Sequence, residues 1–259
     1  MAKKAGSGHN VKTALVTGAG RRIGRAIASH LAAEGWRIAA HYSESVRDVA
    51  SLVRHIESLG GEAVAFKADL SDRDQVTRLA REAAGFGPIT CLVNNASVFE
   101  NDTIESVTLD SWDRHLGVNL MAPLLLSQAF ARDLPKRETG NIINIVDQRV
   151  WRLTPNFLSY TVSKSGLWTL TQTLAQALAP RIRVNAIGPG PVLPSPRQTK
   201  TQFAAQVRKL PLARGPQVEE ICKTVSYILE TPSMTGQMIA LDGGQHIAWQ
   251  TPDVAGRTE

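Results

Sequence analysis

Short apolar runs alternate with longer stretches of helical periodicity along most of this chain. The predicted strands are TALVTG, RIAAHY, EAVAFKADL, ITCLVNN, NIINIV, IRVNAI and QMIALDGG. The predicted helices between them begin near Arg22, Ser45, Asp72, Leu109, Phe157 and Gln217. Because strands that alternate with helices form βαβ units, the pattern predicts an α/β fold with a doubly wound, seven-stranded parallel sheet and helices on both faces.

The length of the chain limits how many domains it can form. Its 259 residues suffice for one large α/β domain and leave no room for a second sizeable one. We expect this single domain to span residues 11–248, with a disordered tail at 1–10 and a further tail at 249–259. Residues 188–203 are polar and rich in proline and glycine. A connection this long predicts a lid or substrate loop near 188–215, and a plain surface loop is the alternative.

Composition excludes several classes of protein. The net charge of +6 fits either a solvated basic surface or a site that attracts anions. The scattered Lys and Arg residues form no stripe and argue against nucleic acid binding. Cys91 and Cys222 lie far apart, which predicts a reducing compartment without a disulfide framework. The histidines lack ligand spacing, so we expect no metal. No segment resembles a secretory signal or a membrane span, which predicts a cytoplasmic protein without membrane contact.

A glycine turn follows the first predicted strand, in the segment VTGAGRRIGRAIA at residues 16–28. Gly18, Gly20 and Gly24 permit a tight turn and let the backbone approach a pyrophosphate. The helix that begins there directs its free N–H groups and its dipole at such an anion. The segment therefore predicts a dinucleotide site, and a tight turn without a ligand is the alternative.

The end of the second strand indicates which dinucleotide binds. An NAD enzyme usually carries an acidic residue there for the ribose hydroxyls, whereas this chain has Tyr42. The groups that could meet a ribose phosphate with positive charge or hydrogen bonds are Arg21, Arg22, His41, Ser43 and Ser45. We therefore predict NADPH, and Glu44 is the residue that argues against this preference.

Polar residues also follow the third and fourth predicted strands. Asp69 and Leu70 stand where an adenine would lie, after the third strand. Asn95, Ala96 and Ser97 follow the fourth strand in the sequence NNAS and could line the cofactor. Asparagine also favours turns after strands, which is the alternative explanation for this pair.

The segment YTVSK places Tyr160 and Lys164 four residues apart, on one face of a helix. A nearby ammonium group favours the phenolate, so we expect Lys164 to lower the pKa of Tyr160. The pair could then deliver a proton while a nicotinamide delivers a hydride, although an exposed Tyr/Lys pair is also common. Asn119 could hold a water that links Lys164 to solvent, or it could be a tolerated polar residue within a helix.

Together these residues resemble the short-chain dehydrogenase/reductase family over residues 16 to about 244. The matching motifs are TGAGRRIG, DL, NNAS, VN, YTVSK, RVNAIGPGP and LDGG. The resemblance implies a single-domain Rossmann fold, a nicotinamide cofactor and a homo-oligomer, most often a tetramer. It adds Ile23, Pro189 and Gly190 to the expected cofactor contacts, which already include Gly18.

Two departures from the family pattern resemble the pteridine reductases and the related dihydromonapterin (alternative dihydrofolate) reductases. Most members have a serine thirteen residues before the tyrosine, where this chain has Asp147, and a glycine where it has Arg22. The subgroup also has an HY end to the second strand and a phenylalanine two residues after NNAS, here Phe99. In some pteridine reductases a second pocket tyrosine replaces Phe157, and an arginine replaces Glu44.

This resemblance implies an NADPH-dependent reductase of dihydropterins such as dihydromonapterin or dihydrobiopterin, with dihydrofolate as a further substrate. Reduction of a pterin C=N bond needs a hydride on carbon and a proton on the adjacent nitrogen. Asp147 could relay that proton through Tyr160 or a water, and we expect it to stay ionised beside Lys164 and Arg22. Phe99 could stack on the pterin opposite the nicotinamide. The expected substrate contacts are Arg22, Ser97, Phe99, Asp147, Phe157 and Tyr160.

Two other functions remain open from the sequence. The first keeps the fold and acts on a carbonyl or alcohol substrate, although a carboxylate at Asp147 would face a carbonyl oxygen unfavourably. The second is a non-enzymatic sensor or scaffold that binds NADP(H). The intact pair of Tyr160 and Lys164 argues against the sensor.

Overall fold

A computed structural model describes residues 12–195 and 197–249 of the chain. The tails predicted at 1–10 and 249–259 lie outside the described residues, apart from Trp249. The strands are β1 (Thr13–Val16), β2 (Arg37–Tyr42), β3 (Ala63–Lys67), β4 (Ile89–Asn94), β5 (Gly140–Ile145), β6 (Ile182–Pro189) and β7 (Met238–Leu241). The α-helices are α1 (Arg22–Ala33), α2 (Val46–Ser58), α3 (Arg73–Phe86), α4 (Leu109–Leu116), α5 (Ala122–Asp133), α6 (Leu158–Leu178), α7 (Lys200–Arg208) and α8 (Val218–Glu230).

The seven strands form one parallel sheet in the order β3-β2-β1-β4-β5-β6-β7. The predicted doubly wound α/β fold is therefore confirmed. The chain builds outward from β1 to β3, then returns to the centre and builds in the opposite direction from β4. Ligands of such sheets bind at this reversal, outside the carboxyl ends of β1 and β4.

Helices cover both faces of the sheet. Ile27 of α1, Leu52 of α2 and Val225 of α8 pack in one apolar cluster on the first face. Helices α3, α5 and α6 cover the second face through a separate cluster. Neighbouring residues of β5, Ile142 and Ile143, belong to different clusters, and neither has any solvent exposure. Burial on both faces explains why the strands appear in the sequence as continuous apolar runs.

The structure differs from the sequence prediction between residues 188 and 215. Strand β6 continues to Pro189, and helix α7 lies within the segment predicted as an irregular loop. Thr199 and Gln202 form a capping box at the start of α7, with Thr199 Oγ1 accepting the Gln202 N–H at 3.2 Å. The T-x-x-Q spacing is the sequence signal for this helix start. The prolines that precede it favour a loop and outweigh this signal in the sequence prediction.

Neither a membrane-spanning helix nor a cluster of metal-ligating side chains is found among the described residues. No helix within 12–195 or 197–249 has both the length and the hydropathy that a bilayer crossing requires. The same ranges contain no group of three His, Cys, Asp or Glu side chains suited to hold a metal ion. Cys91 and Cys222 are buried free thiols, and burial raises the pKa of Cys91 to about 12. Cys91 is thus a small apolar residue of the core rather than a nucleophile.

Candidate active site

A cleft of about 860 Å³ opens along the carboxyl ends of the strands at the point where the strand order reverses. Its volume falls within the range of cofactor and ligand pockets. Every residue predicted to contact the cofactor lines it: Gly18, Arg21, Arg22, Ile23, His41, Tyr42, Ser43, Ser45, Asp69, Leu70, Asn95, Ala96, Ser97, Tyr160, Lys164, Pro189 and Gly190.

The glycine turn leaves the start of α1 open to an anion. Gly18 has a φ of +65°, and a Cβ atom on Gly24 would lie 2.2 Å from the Gly18 carbonyl oxygen. Both positions therefore require glycine. Arg21 precedes α1 without a side-chain cap, and the first turn of α1 carries no acidic residue. The first N–H groups of α1 can therefore bind a phosphate, so this part of the cleft fits a dinucleotide.

Thr17 connects the glycine turn to the segment that follows β4. Its Oγ1 accepts hydrogen bonds from the Asn95 N–H at 2.9 Å and the Ala96 N–H at 3.0 Å. In return, Asn95 Nδ2 donates to the Thr17 carbonyl at 2.8 Å. The two walls of the cleft are thus fixed to each other, and the Asn95 amide group supports the turn.

His41 is placed differently from the prediction that it donates to a ribose phosphate. Its Nδ1 accepts the Gly18 N–H at 3.1 Å, and its Nε2 lies 3.0 Å from the Ala68 carbonyl. This pattern requires a neutral ring with the proton on Nε2, and no ring nitrogen remains for a phosphate. Burial lowers the pKa of His41 to about 4, which favours that neutral state. His41 therefore supports the glycine turn by accepting the Gly18 N–H.

The buried imidazole of His41 predicts acid sensitivity of the fold. Its folded-state pKa of about 4 lies below the ordinary value of 6.5. As the pH falls through this interval, the unfolded chain binds a proton that the folded chain excludes, so stability is lost. We expect His41 to remove about 3 kcal/mol from the free energy of unfolding between about pH 7 and about pH 4.

The variant His41→Asn tests this expectation, because its amide oxygen can accept the Gly18 N–H but does not titrate in this range. Chemical denaturation of the variant should show a flatter pH dependence than the wild type. His55→Asn is the control, since the His55 side chain is exposed. Parallel pH profiles for the wild type and His41→Asn would contradict the assignment.

Positive charge near the end of β2 is partly neutralised within the chain. The Arg21 side chain is 68% exposed, and its guanidinium forms an ion pair with Asp48 in the first turn of α2. Ser43 and Glu44 are exposed beside it. A cofactor phosphate at this position would therefore compete with Asp48 for Arg21.

Arg22 crosses the cleft to the predicted substrate loop. Its guanidinium donates to the Leu193 carbonyl at 3.1 Å and to the Pro194 carbonyl at 2.8 Å. Its backbone has a φ of +52°, a left-handed conformation that costs a residue other than glycine about 1–2 kcal/mol. Arg22 and Asp147 line the same cleft, where the two loop carbonyls hold the Arg22 side chain.

Tyr160, Lys164 and Asp147 meet at the floor of the cleft. The Tyr160 hydroxyl donates to Asp147 Oδ2 at 2.8 Å. Lys164 Nζ donates to the Ile145 carbonyl at 2.7 Å and lies 5.9 Å from the centre of the Tyr160 ring. Both side chains are deeply enclosed, with exposed fractions of 6% for Tyr160 and 2% for Lys164. The common face predicted for residues 160 and 164 thus brings both to one site.

The pKa of Tyr160 shifts in the direction opposite to the one expected from the sequence. Burial, together with the charge of Asp147 and the hydrogen bond to it, raises the pKa of Tyr160 well above its ordinary value of 10.0. Burial also raises the pKa of Asp147, while it lowers the pKa of Lys164 to about 8. Tyr160 is therefore held in its protonated form, with its proton directed at a carboxylate that binds protons more readily than an exposed one.

Arg149 is the charged neighbour of Asp147 that the sequence did not reveal. Its backbone N–H donates to Asp147 Oδ1 at 2.8 Å, and its positive charge opposes the rise in the pKa of Asp147. The Arg149 guanidinium lies 4.7 Å from the centre of the Phe157 ring. No motif signals this residue, and only its position two residues after Asp147 could have suggested it.

Three rings form an aromatic wall between the cleft and a second, outer cavity of about 620 Å³. The rings of Phe99 and Phe157 stack at 4.6 Å with an interplanar angle of 2°, and Tyr160 meets Phe99 edge-on at 4.7 Å. Five of the expected substrate residues line the outer cavity: Arg22, Phe99, Asp147, Phe157 and Tyr160. The sixth, Ser97, lines the cleft. Arg197 of the loop donates to the Phe99 carbonyl.

Asn119 forms hydrogen bonds that the sequence did not reveal. It lies in a π-helical turn, Gly117–Met121, between α4 and α5, and it has no solvent exposure. Its Oδ1 accepts the Val98 N–H at 2.8 Å, and its Nδ2 donates to the Val98 carbonyl at 3.0 Å and to Ser163 Oγ at 3.0 Å. Asn119 therefore holds the segment before Phe99 against α6.

Comparisons with known proteins agree with this geometry. The sequence profile described as short chain dehydrogenase matches residues 12–205. A 3-oxoacyl-[acyl-carrier-protein] reductase from Synechocystis is 33% identical over 239 residues, which cover 90% of this chain and 96% of that protein. In sequence, this chain is 50% identical to FolM alternative dihydrofolate reductase 1 from Brucella suis, whose crystal structure contains NADP. The two structures match with a TM-score of 0.92 over 94% of this chain and 98% of that chain. The same protein from Brucella canis, with NADP, is 49% identical, with a TM-score of 0.92 over 95% of this chain and 98% of that chain.

Proposed function

This chain belongs to the short-chain dehydrogenase family, and on that premise we propose that it reduces dihydropterins with NADPH. It is an oxidoreductase with NADP(H) as its cofactor. The proposed substrates are dihydromonapterin or dihydrobiopterin, reduced to the tetrahydropterin, with dihydrofolate as a further substrate. The proposal depends most on Asp147, whose Oδ2 accepts the Tyr160 hydroxyl at 2.8 Å. Most members of the family have a serine at the position of Asp147.

Tyr160 and Asp147 hold the proton that this reaction needs. NADPH, when bound, supplies a hydride to the pterin carbon. The adjacent nitrogen takes a proton from the hydrogen-bonded pair of Tyr160 and Asp147. Asp147 is the proposed route by which a proton from water replaces the one that leaves, since its Oδ2 accepts the Tyr160 hydroxyl at 2.8 Å. The Lys164 ammonium uses one of its three donors on Ile145, which leaves two for the nicotinamide ribose.

The aromatic wall supports a flat heterocyclic substrate. Phe99 would stack on the pterin opposite the nicotinamide, while Asp147 accepts hydrogen bonds from its amino groups. Phe157 stacks on Phe99 at 4.6 Å, and Arg149 lies 4.7 Å from the centre of the Phe157 ring, so both would support Phe99 on the side away from the pterin. A ketone substrate would use few of these contacts.

Arg22 is the proposed partner of the ribose 2′-phosphate, the group that distinguishes NADPH from NADH. In this role its guanidinium would exchange the Leu193 and Pro194 carbonyls for the phosphate, and Arg22→Gly tests it. The left-handed backbone suits glycine, so we expect the variant to fold normally. Loss of one charge-assisted contact should weaken NADPH binding by about 10-fold and NADH binding by much less. Titration of nicotinamide fluorescence measures both dissociation constants. An unchanged preference for NADPH over NADH would remove Arg22 from the phosphate site.

A second candidate function is reduction of a carbonyl substrate. It is favoured by the Tyr160 and Lys164 pair, which also suits carbonyl reduction, and by the relative named as a 3-oxoacyl-[acyl-carrier-protein] reductase. The position of Asp147 argues against it. A carbonyl oxygen that gains negative charge needs a neutral donor, and a carboxylate in that place repels it.

The proposed function is tested by following NADPH oxidation in the presence of dihydromonapterin, dihydrobiopterin and dihydrofolate in parallel. We expect turnover with at least one dihydropterin and faster turnover with NADPH than with NADH. If none of the three substrates supports NADPH oxidation, the proposal is refuted.

We also propose that the protein is a homotetramer, as the family resemblance implies, and that it is located in the cytoplasm. Exposed apolar side chains on α4, α5 and α6 are available for contacts between subunits: Leu109, Leu124 and Val162. Light scattering on the eluting protein would measure the assembly, and a monomeric mass would contradict this proposal.

A further inference from the structure

Helix α6, which carries Tyr160 and Lys164, begins without a cap of its own. Phe157 precedes the helix in a left-handed conformation, with a φ of 58° and a ψ of 46°. Its side chain is an aromatic ring and accepts no hydrogen bond. The first N–H groups of a helix need acceptors from elsewhere, and at this buried start they cannot all reach water.

Two residues of the segment after β4 supply these acceptors. Asn101 Oδ1 accepts the Phe157 N–H at 3.3 Å. The Asp102 carbonyl accepts the Leu158 N–H at 3.2 Å, and Asp102 Oδ1 accepts the Ser159 N–H at 3.1 Å. Three successive N–H groups of the helix start are thus bound by two successive residues of another element.

Asp102 is itself fixed by a buried polar cluster, which consists of Asp102, Ser111, His115 and Ser159. Asp102 is 3% exposed, and its Oδ2 accepts from Ser159 Oγ and from Ser111 Oγ. His115 Nδ1 lies 2.8 Å from Ser159 Oγ, and His115 Nε2 accepts the Glu100 N–H at 3.2 Å. Burial acts to raise the pKa of Asp102, but the hydrogen bonds from Ser159 and Ser111 outweigh it and hold that pKa below the ordinary value.

The cap connects directly to the reacting groups. Phe157 stacks on Phe99 at 4.6 Å, and Phe99 precedes Asn101 by only two residues. Tyr160 immediately follows Ser159 and places its hydroxyl 2.8 Å from Asp147 Oδ2. A shift of the helix start would therefore change both the spacing of the aromatic wall and the distance between Tyr160 and Asp147.

We infer that Asp102 is a positioning residue, which as the cap of α6 holds Tyr160 against Asp147 and Phe157 against Phe99. This inference rests on the proposed role of Tyr160 as proton donor. It does not depend on which substrate accepts the proton, because Tyr160 serves the pterin and the carbonyl function alike. Asp102 touches neither cofactor nor substrate in this arrangement.

The test compares Asp102→Asn with a matched cap variant at another helix. Glu220→Gln is suitable, since Glu220 Oε2 accepts the Gln217 N–H at 2.6 Å at the start of α8, away from the cleft. Each variant exchanges a capping carboxylate for an amide of nearly the same shape. For each we would measure Tm, the dissociation constant of NADPH, and kcat and KM for whichever substrate the wild type reduces.

We expect Asp102→Asn to lower kcat by about 10-fold to 10²-fold, since small misplacements of reacting groups have such effects. Its affinity for NADPH should stay near the wild-type value. Glu220→Gln should lower Tm by less, because glutamine also serves in a capping box, and should leave kcat unchanged. Equal losses of kcat in both variants, or an unchanged kcat in Asp102→Asn, would overturn the inference.

Fluorine NMR of protein labelled with 3-fluorotyrosine gives a readout that needs no substrate. The chain has three tyrosines, and the Tyr160 signal is the one that disappears in Tyr160→Phe. Asp102→Asn should shift the Tyr160 signal and leave the signal of Tyr227 on α8 unchanged. If the Tyr160 signal of Asp102→Asn stays at its wild-type position, the inference is overturned, whether or not the wild type reduces a dihydropterin. Failure of the proposed function would appear only in the substrate assay.

Discussion

Replacing Tyr160 with phenylalanine is expected to lower kcat for dihydropterin reduction by about 10²–10⁴-fold, the range for loss of a positioned proton donor. The variant keeps the ring that meets Phe99 at 4.7 Å and removes only the hydroxyl that donates to Asp147. The aromatic wall should therefore persist, and NADPH should bind with nearly unchanged affinity. Stopped-flow measurement of NADPH oxidation separates the chemical step from binding.

Tyr227→Phe is the matched control for this prediction. Tyr227 lies on α8 and is 55% exposed, so loss of its hydroxyl should change neither kcat nor NADPH affinity. If Tyr160→Phe retained more than about a tenth of the wild-type kcat, the proton would have to come from another donor, and Tyr160 would lose its assigned role.

Replacing Asp147 with serine is expected to cause the second largest effect. The variant introduces the residue that most of the resembled family carries, and it removes the carboxylate that accepts the Tyr160 hydroxyl at 2.8 Å and the Arg149 N–H at 2.8 Å. We expect kcat/KM for a dihydropterin to fall by about 10²-fold or more, because both the proton path and the contacts to the amino groups are lost.

Asp147→Asn separates the two contributions of this carboxyl group. Its amide retains the shape and one acceptor but cannot carry a proton. A loss of kcat in Asp147→Asn with little change in KM would assign Asp147 to proton transfer. Wild-type pterin turnover in Asp147→Ser would contradict the proposal, because the residue that distinguishes this site would then be dispensable.

The parts of the site that the sequence predicts well are those whose geometry is local. Gly24 is required because a Cβ atom would meet the Gly18 carbonyl, only six residues earlier. Tyr160 and Lys164 share a face because helical periodicity places residues four apart together. The fold is predictable for the same reason, since the alternation of strand and helix patterns along the chain restricts the topology to very few choices.

The parts that the sequence could not predict depend on contacts between distant residues. Arg22 is held by carbonyls 171 and 172 residues further along the chain. Asp102 caps a helix start 57 residues away. The direction of the pKa shift of Tyr160 depends on how deeply its ring is buried and on the approach of Asp147, and neither quantity is encoded in the spacing of YTVSK. The sequence favours His41 as a donor to the phosphate because it does not reveal the ring partners, Gly18 and Ala68.

We propose that Asp147 commits this site to a C=N bond rather than to a carbonyl. The most direct test is the ratio of kcat/KM for dihydromonapterin to that for a 3-oxoacyl thioester, measured on one preparation with NADPH. We predict a ratio above about 10², the size expected when one substrate leaves a buried charged group unpaired. A ratio below one, with efficient reduction of the thioester, would contradict the claim and favour the carbonyl function.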